Sequence, residues 1–209
     1  MVTERTPLPD PRRYRAMAPV APEGAIDLNA VLPGTGPVEL DIGFGRGNSV
    51  IERAQSAPES RIIGIEIKTK WSFLVEQRCR SLGLDNVAIY CGDAKEILKR
   101  CLPNRCVQKV VVQFPDPWWK KRHSKRRVVD ATFLDLIAPT MESGGLLLVQ
   151  TDVNDRADLY HAEIDAHPMF RWTNDTGYVQ ENPFGARSNR EVRADDDGLP
   201  IHRLLAERA

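Results

Sequence analysis

The four cysteines, Cys79, Cys91, Cys101 and Cys106, include no Cys-x-x-Cys pair in a chain of 209 residues. That absence excludes the usual zinc-ribbon and dithiol signatures. The four are expected to be reduced, packing cysteines of a cytoplasmic protein, with no metal site and no disulfide framework. The N-terminus holds no uninterrupted apolar run of the kind a secretory signal needs, and no stretch approaches the roughly 20 apolar residues that cross a bilayer. A membrane partner is therefore not expected. No internal repeat is visible. Net charge is also missing: 29 basic and 29 acidic residues cancel, so general adhesion to polyanions is not expected. With 42% hydrophobic and 28% charged residues, the chain has the make-up of one soluble domain with a proper core. Nothing in it separates a monomer from a homodimer.

The zero net charge hides a strong segregation. Lys120, Lys121, Arg122, Lys125, Arg126 and Arg127 put six cations into eight residues without an acid, which leaves −6 on the rest of the chain. Such a block repels itself unless solvent or a phosphate backbone neutralises it. A solvated loop or a nuclear-import signal has the same composition. What precedes the block tells against those readings. Lys109-Val-Val-Val-Gln-Phe114 is a β-branched run that reads as a buried strand, and Pro115-Asp-Pro-Trp-Trp119 follows it. Asp116 therefore belongs at the C-terminal end of a strand, where open α/β sheets build their ligand crevices. The two prolines stiffen the turn that carries it. The stretch reads as an active-site rim running into a nucleic-acid grip, with Trp118 or Trp119 available as a stacking face.

Strand and helix signals alternate along the chain. Residues 1–37 carry seven prolines, together with Arg5, Arg12, Arg13 and Arg15, and are expected to form a flexible or loosely docked arm. From residue 38 to 209 one folded domain is expected. Strands are predicted over 38–42, 61–65, 86–90, 109–114 and 146–150, with helices over 48–55, 69–82, 94–101, 128–138 and 154–166. The last forty residues are harder to read: a strand over 170–173, a loop over 174–197 and a strand over 201–206. This alternation predicts an α/β fold, a single Rossmann-like, doubly wound, mostly parallel sheet with a C-terminal antiparallel pair.

The glycine turn after the first strand is Asp41-x-Gly43-x-Gly45-x-Gly47. Its every-second-residue spacing differs from the Gly-x-Gly-x-x-Gly that wraps a dinucleotide pyrophosphate. S-adenosylmethionine suits it better, because that cofactor has no phosphate and needs only a close backbone approach. Glu66 ends the second strand 19 residues after Gly47, where an acid accepts hydrogen bonds from ribose hydroxyls. Asp93 ends the third strand, within expected reach of the adenine amino group, and Asp116 ends the fourth. Acids at four successive strand ends are expected to line one crevice that favours a cationic sulfonium.

With these residues in view, the chain over about 38–207 resembles the tRNA (guanine-N7)-methyltransferase family. The resemblance rests on Asp41 to Gly47, Gly64-Ile-Glu66, Gly92-Asp-Ala94, Phe114-Pro-Asp-Pro-Trp118 with Lys120 to Arg127, Thr151-Asp152 and Ser188-Asn-Arg-Glu191. It implies a class I methyltransferase that moves a methyl group from S-adenosylmethionine to N7 of the variable-loop guanosine, position 46 of tRNA. It also implies a cofactor site at Asp41, Gly43, Gly45, Gly47, Glu66, Asp93 and Asp116. Catalytic roles fall to Asp116 and Asp152, guanine or RNA contacts to Lys120, Asp152, Ser188, Asn189, Arg190 and Glu191, and phosphate contacts to Lys121, Arg122, Lys125, Arg126 and Arg127. Three positions depart from the family pattern: Asp41 where Glu is usual, Trp119 where Pro or a polar residue is commoner, and Ser188 for Thr. The acidic run Asp195 to Asp197 is a further departure near a loop expected to meet RNA. Two alternatives stand beside this reading. One is a methyltransferase acting on an exocyclic amine, suggested by the near match of Asp116-Pro-Trp-Trp119 to Asp/Asn-Pro-Pro-aromatic. The other is a non-catalytic RNA-binding subunit of the same fold.

Overall fold

The computed structural model describes residues 11–115 and 127–209, with side chains from residue 14. The predicted alternation is realised as β1 (Val38–Ile42), α2 (Asn48–Ser56), β2 (Arg61–Glu66), α3 (Thr69–Ser81), β3 (Val87–Cys91), α4 (Ala94–Leu98) and β4 (Val107–Gln113), preceded by a short helix α1 (Pro11–Met17). The second half continues with α5 (Ala131–Ile137), β5 (Met141–Thr151), α6 (Asn154–Asp165), β6 (Phe170–Trp172), α7 (Asn189–Asp196) and β7 (His202–Arg208). The seven strands form one sheet in the order β3-β2-β1-β4-β5-β7-β6. The first five are parallel, and β7 joins β5 and β6 antiparallel. The chain order reverses between β1 and β4, and in such sheets the crevice beyond the strand ends at that point takes the ligand.

Burial follows from the apolar strands. Leu40, Ile42, Val110, Val112, Leu147 and Val149 meet Phe133, Leu134 and Ile137 of α5 and Tyr160 and Ile164 of α6 on one face. On the other face Ile62 and Ile89 meet Val50, Ile51 and Ala54 of α2 and Val75 and Cys79 of α3. Further along that sheet a third cluster joins Val111, Leu148 and Leu205 to Phe184 from the segment before α7. Caps set several boundaries. Asp130 accepts from the Phe133 amide at 3.0 Å, so α5 starts at Ala131 rather than at residue 128.

Two expectations are corrected. Residues 14–37 are not a loose arm. Tyr14 packs on Phe73 with ring centroids 5.5 Å apart, Ala21, Ile26 and Leu28 enter the main core, and Ile26 exchanges backbone hydrogen bonds with Arg100 and Leu102. Prolines lower the entropy that ordering removes, and the apolar residues between them join the cluster that α4 and α5 also fill. The second correction is α7, which lies within the stretch expected to be loop. Its signal was present: Ser188-Asn-Arg-Glu191 has the spacing of a helix-capping pair. Ser188 caps the helix by accepting from the Glu191 amide at 3.1 Å.

Candidate active site

A cleft of about 580 Å³ opens at the reversal point, walled by the glycine turn, the ends of β2, β3 and β4, and the first turn of α7. That volume suits a nucleoside-sized ligand. Gly43, Gly45 and Gly47 all have positive φ, between +57° and +78°, which only glycine adopts without strain. A side chain added at Gly43 or Gly45 would meet nothing within 4 Å, so the turn presents bare backbone to the cleft. Gly47 faces the other way, against Val75.

Glu66 holds this turn in place. One carboxylate oxygen accepts from the Gly45 amide at 2.8 Å and the other from the Lys68 amide at 2.7 Å, while the Glu66 carbonyl takes the Ser72 hydroxyl at 3.0 Å. A carboxylate offers about four acceptor positions, so Glu66 keeps capacity for hydroxyls in the cleft it lines. Asp93 caps α4 by accepting from the Lys95 and Glu96 amides through Oδ1. Its other oxygen has no such commitment. Lys95 reaches across to Asp130 at 2.6 Å and to the Arg127 carbonyl at 2.8 Å, tying α4 to the chain just before α5. At the end of β4, Phe114 adopts φ +49°, a backbone strain that non-glycine residues accept mainly at functional sites. Phe114 and Pro115 line the cleft.

The far wall is α7, anchored from beneath by amides at the ends of two strands. Gln113 of β4 accepts from the Ser188 amide at 3.2 Å, and Gln150 of β5 donates to Glu191 at 3.0 Å. Asn189, Arg190 and Arg193 are thereby presented to the cleft. The Asn189 Oδ1 is buried and has no hydrogen-bond partner among the described residues, which marks an acceptor awaiting a donor. The glycine backbone, the Glu66 and Asp93 carboxylates and this amide oxygen fit a nucleoside carrying an amino acid, because hydroxyl, amino and ammonium donors each find an acceptor.

A protein family described as putative methyltransferase matches residues 35–204. The chain is 37% identical over 200 residues to the tRNA (guanine-N(7)-)-methyltransferase of Microcystis aeruginosa, covering 94% of this chain and 93% of that one. It is 33% identical over 211 residues to the tRNA (guanine-N(7)-)-methyltransferase of Nitrosococcus oceani, covering 95% and 86%. The chain belongs to the tRNA (guanine-N7)-methyltransferase family. Solved structures bear on the fold alone. One is an antibiotic-related methyltransferase with TM-score 0.60 and 17% identity, over 87% of this chain and 92% of that one. Another is the precorrin-6y C5,15-methyltransferase of Geobacter metallireducens, with TM-score 0.57 and 16% identity over 85% and 82%.

Of the residues that resemblance to the tRNA (guanine-N7)-methyltransferase family singled out, the fold brings Gly43, Gly45, Glu66, Asp93, Ser188, Asn189, Arg190 and Arg127 to the cleft wall. Arg127 forms an ion pair with Glu163 at 3.6 Å. Asp41 lies elsewhere. It is buried beneath the turn, one oxygen accepting from the Ser49 hydroxyl at 2.7 Å and the other without a partner among the described residues. Burial pushes its carboxyl up to about 7 against the pull of the Ser49 bond, with Glu66 and Glu39 adding to the rise. Asp41 supports the turn from below. Glu191, expected in a polar loop with little core around it, is fully buried and paired with Arg203 at 2.9 Å. Helix α7 turns this side chain inward while its neighbours face out. Asp152 does not line the cleft and is ion-paired with Arg190. Asp116, Trp118, Trp119, Lys120, Lys121, Arg122, Lys125 and Arg126 lie outside the described residues.

Several cleft residues carried no sequence signal. Tyr160 sits on the inner face of α6 and is placed at the cleft by the packing of that helix. Burial raises its pKa. Arg193 belongs to the unforeseen α7, and Arg46 stands between Gly45 and Gly47 of the glycine turn. Among the described residues no three potential metal ligands come together, and no helix is long and apolar enough to cross a membrane.

Proposed function

We propose that this protein transfers a methyl group from S-adenosylmethionine to N7 of a guanosine in tRNA, the variable-loop guanosine at position 46. The observation that carries the reading is the pairing of close relatives bearing that activity in their names with a nucleoside-sized cleft at the reversal point of the sheet. In this reading the protein works in the cytoplasm on tRNA.

The cofactor supplies an electrophilic methyl group on a cationic sulfur. Guanine N7 has an unprotonated lone pair, so no residue has to remove a proton before attack, and the protein contributes alignment and electrostatics. Glu66 holds the glycine backbone and would accept from the cofactor's ribose hydroxyls. Asp93 would accept from its adenine amino group through the oxygen that does not cap α4. Asn189 would offer its buried Oδ1 to a donor in the cleft. The positive charge that develops on the purine is offset by carboxylates. Asp116 is one, and Asp152 is the other once guanine has displaced Arg190 from it. Guanine N1 and amino protons supply donors that adenine cannot match.

Purified protein, labelled S-adenosylmethionine and unmodified tRNA, followed by nucleoside analysis, tests the proposal. The expected product is 7-methylguanosine confined to the variable loop. A methylated exocyclic amine, or no transfer by protein that binds tRNA, would establish one of the two alternatives instead.

A further inference from the structure

Arg46, between Gly45 and Gly47 of the glycine turn, lies with its guanidinium carbon 5.2 Å from the centre of the Trp71 ring, and Lys70 places its ammonium 5.3 Å from the same ring. Both cations are exposed, and Trp71 is half-buried in the first turn of α3. Among the described residues neither cation has a carboxylate partner, in contrast to Arg53 with Glu39, Lys95 with Asp130 and Arg190 with Asp152. Two like charges gathered on one ring repel each other, and the arrangement gains most when an anion bridges them. Stacking on an indole also fixes the side chains in advance. A guanidinium lying on a ring still directs N–H groups outward, in the geometry that suits phosphate.

Arg46 also lines the cleft, so this cluster is continuous with the place where the base is methylated. The cofactor's sulfonium gains nothing from cations at the rim, and its carboxylate is the competing anion that the calorimetry below separates from RNA phosphate. We infer that Arg46 and Lys70, held on Trp71, form a phosphate-binding surface for the substrate RNA on the glycine-turn side of the cleft, separate in sequence from the basic stretch 120–127. The inference rests on the tRNA reading above. The surface grips backbone rather than bases, so it adds affinity and orientation without sequence preference.

The test measures binding of an unmodified tRNA transcript from about 50 mM to about 400 mM salt for the parent, for Arg46→Ala combined with Lys70→Ala, and for Trp71→Leu. Calorimetry with S-adenosylmethionine and nucleoside analysis run alongside. Each lost phosphate contact lowers the salt slope by about 0.7–0.9, equivalent to roughly tenfold in affinity at 50 mM salt relative to 1 M. The double variant should lose about two such contacts, and Lys70→Ala alone, measured in the same way and outside the cleft lining, about one, with its cofactor affinity within about twofold of the parent. Trp71→Leu keeps the charges and loses the ring, so weaker binding at an unchanged slope is expected, and parental affinity would remove the ring from the inference. An unchanged slope in the double variant, with the parent still forming 7-methylguanosine, overturns the surface and leaves the function standing. Loss of cofactor affinity at an unchanged slope assigns the cluster to the cofactor carboxylate and also overturns it. A parent that forms no 7-methylguanosine and binds no tRNA removes the function and the surface together.

Discussion

Replacing Glu191 with alanine should destabilise the fold before it affects chemistry. Its carboxylate is fully buried and accepts from Gln150 Nε2 at 3.0 Å, from Arg203 Nη2 at 2.9 Å and, more weakly, from Asn182 at 3.5 Å. Arg203 spends its other terminal nitrogen on the Gln180 carbonyl at 2.9 Å, so the pair joins β7, β5, α7 and the segment before α7. Truncation leaves a guanidinium with only 13% side-chain exposure facing a cavity. Removing one partner of a buried pair costs about 3–5 kcal/mol. Some water reaches Arg203, so the lower end applies, about 3 kcal/mol, or a Tm lower by roughly 6–12 °C in a domain of this size. Glu191→Gln keeps the shape and an acceptor and should lose only about 1–2 kcal/mol. Urea unfolding of the parent, Glu191→Ala, Glu191→Gln, Arg203→Met and Glu191→Gln combined with Arg203→Met measures these terms, and the last three together with the parent give the coupling. Methylation of tRNA by Glu191→Gln should persist at a reduced rate, because α7 loosens without losing a group that touches substrate. If Glu191→Ala unfolds at the parental midpoint and yet abolishes methylation, the side chain faces the substrate and the argument from burial is wrong.

Other outcomes follow from the same structure. Asp41 has a carboxyl raised from 3.8 to about 7 in the fold, so between these values the unfolded chain releases a proton that the native state keeps. Its contribution to stability therefore falls as pH rises from about 4 to 7 and is flat above; Asp41→Asn should remove that slope from a series of urea midpoints, and an unchanged slope would contradict the assignment. Glu66→Ala removes the carboxylate that holds the Gly45 and Lys68 amides and that, in the proposed function, takes two ribose hydroxyls; two charge-assisted bonds to the cofactor are worth more than about 1.4 kcal/mol, so calorimetry should find S-adenosylmethionine binding weakened by at least about tenfold. Gly47→Ala meets Val75 at 2.5 Å with φ +78°, and the strain should appear as a lower Tm with weaker cofactor binding. Leu28→Ala should cost about 2–5 kcal/mol as a core truncation, whereas a loosely docked segment would show a loss within about 0.5 kcal/mol.

The parallel core of the sheet and the glycine turn were legible in the chain because they are local. β-branched runs such as Val110-Val-Val112 mark buried strands, and Gly43, Gly45 and Gly47 mark a backbone that must turn with positive φ. Glu66 and Asp93 were legible for the same reason: each lies at a strand end, and in a parallel sheet strand ends point to one edge. Asp41 shows the limit of that rule. It pairs in register with Gly64, one step short of the strand end, and alternation turned its side chain under the turn toward Ser49. Glu191 shows a second limit. Its capping spacing with Ser188 was visible, yet only the docking of α7 on Gln113 and Gln150 determined that the carboxylate points inward. Arg203 was invisible as its partner because the two meet only when β7 adds antiparallel to β5. Composition alone made the N-terminal segment look unstructured, and burial of Ile26 and Leu28 reversed that. Local backbone preferences are written residue by residue, but which side of a buried surface a polar group occupies depends on partners that are distant in sequence.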